Sequence, residues 1–233
     1  MLDYGFYNMD CMEGMKEFPD NYFDLAIVDP VYGGVGRGGY MTHKGGEKWG
    51  NGRGTEIAYN NAIWSQPKTD KTYFDELFRV SKNQIIWGGN YFTNSICRES
   101  QCWIVWDKKK AEGIKFADCE LAWTSFDRAA RIFRFRWNGF LQEDMKHKEK
   151  KIHPTQKPVA LYKWILGNFA VGSDRILDTH VGSGSSLIAC HQMGNPYVGF
   201  EINEDYYNKA KERIQEETGQ LTIQQIGFNP YQE

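Results

Sequence analysis

A chain of 233 residues, 41% apolar and 15% aromatic, has material for one sizeable hydrophobic core. Its five cysteines are scattered without a Cys-x-x-Cys pair, and no apolar run approaches the roughly 18 residues that cross a bilayer, so no metal site, disulfide framework or membrane span is expected. A reducing cytoplasm without an export leader fits best, and the net charge of −2 selects no partner by itself.

In chain order, a strand is expected at Gly5 to Met9, followed by Asn8-Met9-Asp10-Cys11, and a second, strongly apolar one at Asp24 to Val28. The latter runs into Asp29-Pro30-Val31-Tyr32. From Gly33 to Gly54 ten of twenty-two positions are glycine, interrupted by cations such as Arg37 and Arg53, so 33–66 reads as a long substrate-closing loop and not a packed element. Thr69 or Asp70 can cap a helix whose Tyr73, Phe74, Leu77 and Phe78 share a face. Strands follow at Gln84 to Trp87, Trp103 to Trp106, Glu120 to Thr124 and Ile132 to Trp137. In the last of these, Phe133, Phe135 and Trp137 alternate with Arg134 and Arg136, packing aromatics inward and turning guanidinium groups outward. The segment 128–151 has eight basic and three acidic residues, a balance of +5 against −7 elsewhere. Such a patch, with Arg131, Arg134, Arg136, Lys146 and Lys148, suits phosphates.

Beyond His153-Pro154-Thr155-Gln156-Lys157-Pro158, a helix with Leu161, Trp164, Ile165 and Phe169 on one face is expected, then a strand at Arg175 to Leu177. Asp178 to Ser186 reads Asp-Thr-His-Val-Gly-Ser-Gly-Ser-Ser and looks like a turn from a buried strand into a helix. Its glycines let backbone N–H groups approach a ligand at the helix start. Some twenty residues on, Glu201 ends the strand Tyr197 to Phe200, where a carboxylate can accept from ribose hydroxyls, and the combination suggests a nucleoside cofactor. Asn203 caps a final helix facing inward with Tyr206, Tyr207, Ala210 and Ile214 and carrying Lys211 and Arg213 in its last turn. Alternating strands and helices favour an α/β fold, a mostly parallel twisted sheet with helices on both faces, in a single domain spanning 1–233.

The Asp29-Pro30-Val31-Tyr32 motif and the Asp178 turn together resemble the S-adenosylmethionine-dependent amino-methyltransferases of DNA, whose motifs are Asp-Pro-Pro-Tyr and Asp-x-x-x-Gly-x-Gly. With the catalytic motif first and the cofactor turn last, the order is similar to the beta class, a circularly permuted Rossmann-like methyltransferase fold. The resemblance implies that Asp29, Pro30 and Tyr32 are catalytic. It implies cofactor contacts from Asp10, Cys11, Asp29, His153, Thr155, Lys157, Asp178, His180, Gly182, Ser183, Gly184, Ser185, Glu201 and Ile202. It further implies that the sheet continues from the Asn203 helix into the strand that here opens the chain.

An exocyclic amino group is a poor nucleophile because its lone pair is delocalised into the ring. The Asp29 carboxylate and Pro30 carbonyl would accept its two N–H bonds, and Tyr32 would stack on a base extruded from double-stranded DNA. Val31 departs from the family's second proline, and Thr179-His180 from its usual Pro-Phe. The expected reaction is methylation of adenine N6, Asp being commoner in adenine enzymes at the first motif position; N4 of cytosine is the alternative, and an inactive DNA-binding relative a third reading. With so little sequence for target recognition, Arg37 and Arg53 of the glycine-rich loop join the basic segment as expected DNA contacts, and a homodimer would enlarge that surface. The family's setting is prokaryotic or phage restriction-modification at the nucleoid.

Overall fold

The computed structural model describes residues 1–32, 68–110, 117–138 and 141–219. The glycine-rich segment with Arg37 and Arg53, and the tail 221–233, lie outside the described residues. Eight strands form one sheet: β1 (Gly5–Tyr7), β2 (Phe23–Val28), β3 (Ser81–Trp87), β4 (Ile104–Asp107), β5 (Cys119–Thr124), β6 (Arg131–Arg134), β9 (Ile176–Asp178) and β10 (Tyr197–Phe200). Their spatial order is β1-β10-β9-β2-β3-β5-β4-β6, and β5 alone runs antiparallel to its neighbours. A separate hairpin pairs β7 (Trp137–Asn138) with β8 (Leu141–Gln142).

Period-two alternation in the central strands assigns the two faces. Leu25 and Ile27 of β2, with Ile85 and Trp87 of β3, pack under α4 (Val159–Phe169) and α5 (Ser185–Met193). Ala26, Val28 and Ile86 face the other way, onto α1 (Cys11–Lys16), α2 (Lys71–Val80) and α3 (Thr93–Ile96). Helices therefore cover both faces, which is why β2 reads as a nearly unbroken apolar run. Asp70 is the cap of α2, its carboxylate accepting from Tyr73 N at 3.3 Å, while Thr69 donates to the Val31 carbonyl at 3.1 Å.

The permuted order is visible in the sheet edge. β1 lies parallel to β10, pairing Gly5 with Val198 and Tyr7 with Phe200, and Asn8 Nδ2 staples the two ends by donating to Glu201 O at 2.8 Å. Two expected elements differ. The strand Ile132 to Trp137 breaks after Arg134, because Trp137 turns into the core and donates from Nε1 to Gln156 O at 2.8 Å. The last helix, α6 (Glu204–Thr218), runs past Arg213, which therefore lies inside it and not in the last turn.

Candidate active site

β2 and β9 are hydrogen-bonded neighbours, Leu25 beside Ile176 and Ala26 beside Leu177. From β2 the chain leaves through α2 on one face, whereas from β9 it leaves through α5 on the other. Strand order thus reverses between them, and the carboxyl ends of a parallel sheet open a crevice at such a switch point. Asp29 follows the last residue of β2, and Asp178 is the last residue of β9, so the two motifs meet across that crevice.

On the β9 side, Gly182 (φ 55°) and Gly184 (φ 79°) adopt left-handed conformations that fold the turn back onto α5. A side chain at Gly184 would also come within 3.0 Å of Ile214, so that position is closed to larger residues twice over. The Asp178 carboxylate accepts from Ser186 Oγ and from His180 N at 2.9 Å, and burial pushes its pKa up to about 7. Glu201, beyond β10, accepts from Gly182 N at 2.9 Å and Asn203 N at 2.8 Å. Each of its oxygens keeps lone-pair capacity for a further donor, as a ribose diol would supply. Asp10 caps α1 by accepting from Met12 N at 2.7 Å, and burial beside it pushes the Cys11 thiol up to about 12. These groups fit an adenosyl cofactor: a glycine turn, a carboxylate with spare acceptor capacity on β10, and an acidic cap on the neighbouring strand end.

On the β2 side, Asp29 is held by the Tyr32 hydroxyl and the Lys157 ammonium, each in direct hydrogen-bond contact. The Tyr32 ring lies over Gly88 (φ 66°), where a Cβ would approach it to 2.3 Å. Tyr91 stacks on Tyr32 at 5.1 Å and Phe92 meets its edge at 5.8 Å. Lys157 is 4% exposed and also faces Glu120 of β5 at 3.3 Å, and Glu120 in turn contacts Lys108. Against the cost of burial, Lys157 and Lys108 hold the Glu120 carboxyl down at about 2.

His180 and His153 both lie within reach of the Asp29 charge. His180 is linked through Thr179 Oγ1 (2.9 Å) to the Tyr73 hydroxyl (2.6 Å), and His153 packs edge-on to Tyr206 at 4.4 Å with Thr155 Oγ1 3.1 Å from its Nδ1. Burial lowers each to about 4, and the charge of Asp29 is the largest influence opposing that fall in both. Ser183 lies in the turn, Ser185 opens α5, and Ile202 is exposed beyond Glu201. Of the basic residues, Arg134 pairs across from Asp107 at the carboxyl end of the outer strands, on the crevice side, whereas Arg131 begins β6 at the opposite end. Arg136, Lys146 and Lys148 are exposed beyond β6.

Sequence reasoning missed Glu120, Lys108 and Arg213. Arg213 is buried, donating to Ser183 O and Ser185 Oγ at 2.8 Å and pairing with Glu149 at 2.7 Å. Its spacing from Tyr206 and Ala210 places it on the inward stripe of α6, a signal present in the sequence. Glu120 offers a weaker one, a lone carboxylate entering an apolar strand.

A family model described as DNA methylase matches residues 24–212. The Escherichia coli (strain K12) protein YubD is 25% identical over 90% of this chain and 89% of its own length. The type II methyltransferase M.HinfI of Haemophilus influenzae is 26% identical over 89% of the chain and 67% of its own. Among solved structures, M1.HpyAVI in complex with S-adenosylmethionine aligns with a TM-score of 0.57 at 16% identity, covering 90% of this chain and 98% of that one. The cytosine-N4-specific PvuII DNA methyltransferase aligns equally well, at 0.57 and 11% identity, over 94% and 92%. These likenesses establish a shared Rossmann-like methyltransferase fold.

Proposed function

The chain belongs to the DNA methylase family of S-adenosylmethionine-dependent amino-methyltransferases, and within that family we propose that it methylates N6 of adenine in double-stranded DNA. The observation that carries this reading is the meeting of Asp29 and the Asp178 turn at one switch point. S-adenosylmethionine supplies an electrophilic methyl group on a sulfonium. Glu201 would hold the ribose, Asp10 the adenine end, and the 182–185 turn with His153 and Thr155 the methionine end.

Asp29 and the Pro30 carbonyl accept the two N–H bonds of the target amine and favour a pyramidal nitrogen, which restores its lone pair for attack. Holding nitrogen and methyl carbon in line removes much of the entropic barrier. A paired base cannot reach the crevice, so the target nucleotide is extruded at a cost of a few kcal/mol, offset in part by stacking on Tyr32, worth about 1–3 kcal/mol. Arg134, Arg136, Lys146 and Lys148 would grip the flanking phosphates. Aspartate at the first motif position favours adenine over cytosine.

To test this, the purified chain is incubated with unmethylated DNA and methyl-labelled S-adenosylmethionine, and the DNA is digested to nucleosides. Label is expected in N6-methyladenosine. Label in N4-methylcytidine would overturn the base assignment, and none at all would overturn the enzymatic reading.

A further inference from the structure

From Asp29 a line of alternating charge runs outward across the sheet: Asp29, Lys157, Glu120, Lys108. The two inner contacts share a single ammonium. Lys157 is buried, and the Trp87 ring, 5.3 Å away, offers it a π-face but no acceptor atom. Two carboxylates, one just beyond β2 and one on β5, thus compete for one cation, and Lys108, partly exposed, compensates the outer one.

We propose that Glu120 is a positioning residue for methyl transfer, dividing the Lys157 ammonium with Asp29 so that Asp29 stays strong enough as an acceptor to take the target amine's proton. The proposal rests on the amino-methyltransferase reading above. In the step it serves, the nitrogen lone pair forms the N–C bond as the C–S bond breaks, the sulfonium becomes a neutral thioether, and one N–H proton passes to the Asp29 carboxylate and then to water. A carboxylate paired one-to-one with a buried ammonium is a poor destination for that proton, because the neutral pair is already satisfied. Drawing part of the ammonium towards Glu120 leaves Asp29 less fully claimed by its counter-charge, and Lys108 limits how far this goes by drawing on Glu120.

The arrangement yields opposite signs for its two outer members. Glu120→Gln leaves Lys157 wholly to Asp29, so Asp29 titrates at lower pH and transfer slows. Lys108→Gln frees Glu120 to draw harder on Lys157, so Asp29 titrates at higher pH. The other groups that face Asp29 are the Tyr32 hydroxyl in contact and, through the field, His153, His180, Asp178, Tyr73 and Tyr162, all left in place by both variants.

Two measurements test this on the full chain. The first follows the Asp29 carboxyl carbon by carbon-13 NMR against pH, which needs no turnover. The second follows single-turnover methylation against pH with S-adenosylmethionine saturating. Glu120→Gln is expected to lower the Asp29 midpoint by about one unit and the plateau rate about ten-fold, with cofactor affinity changed less than about two-fold. Lys108→Gln should move the midpoint upward, and Glu120→Asp, which keeps the charge, should restore most of the rate. Equal or unidirectional shifts in the two variants, or an Asp29 midpoint indifferent to both, would overturn the proposal. Should Glu120→Gln fail to fold, Lys108→Gln alone decides by the direction of its shift. A wild-type chain that transfers no methyl defeats the enzymatic reading while the NMR titration still judges the charge relay.

Discussion

Asp178 stands at the end of β9 with 2% of its surface exposed, and its two hydrogen bonds do not fully offset the loss of water around a carboxylate. Its folded pKa of about 7 lies above the roughly 3.9 of an unfolded aspartate. The folded state therefore binds the extra proton between these values, and stability present below about pH 4 is lost as pH rises to about 7, beyond which the loss is constant. Asp178→Asn removes the charge while its amide oxygen can still accept from His180 N and its NH2 can donate to Ser186 Oγ, reversing that bond. Its melting temperature is expected to exceed that of the wild type by a margin that widens from pH 4 to pH 7 and then levels; a margin that is flat or narrows across that range would remove the buried charge from the explanation. At this scale Asp29, Asp178 and Glu201 were legible because each sits at a fixed offset from an apolar strand and a turn. Glu120 was not, since its meaning depends on Lys157, far along the chain but 3.3 Å away in space.

Arg213 shows how one element braces another. From the middle of α6 it reaches the glycine turn through Ser183 and Ser185 and closes on Glu149, whose other oxygen accepts from Val159 N at the start of α4. Burial raises the Glu149 carboxyl and lowers the Arg213 guanidinium, and each is the other's counter-charge. Arg213→Met leaves a buried carboxylate unpaired and is expected to destabilise the fold by about 3 kcal/mol in denaturant titration, with weaker cofactor binding from the unbraced turn. Adding Glu149→Gln should recover part of that stability; no recovery would mean that lost packing, and not the stranded charge, is responsible. Elements were legible where periodicity was long. The buried run of β2 and the stripes of α2, α4 and α6 stood out, whereas the six-residue α1 was too short to show a period and the β6 strand ended early because Trp137 had a core site to fill.

Across the whole molecule, the sheet brings the first and last thirds of the chain together. β1 closes onto β10, β2 onto β9, and the polar crevice opens where the strand order reverses between β2 and β9. The sequence carried the two motifs and the alternation of strands and helices, but their adjacency came from the resemblance to a permuted family, because register between distant strands is not written in local periodicity. Arg134, at the carboxyl end of the edge strand β6, lies on the crevice side of the sheet, and Arg136 is exposed just beyond it. The decisive measurement is single-turnover methyl transfer by Asp29→Ala beside a direct titration of S-adenosylmethionine binding. Transfer should fall at least about 10²-fold while cofactor affinity stays within about three-fold, as befits a group that acts on the target amine in the transition state. Transfer undiminished by the loss of Asp29 would contradict the convergence of the two motifs on one reaction.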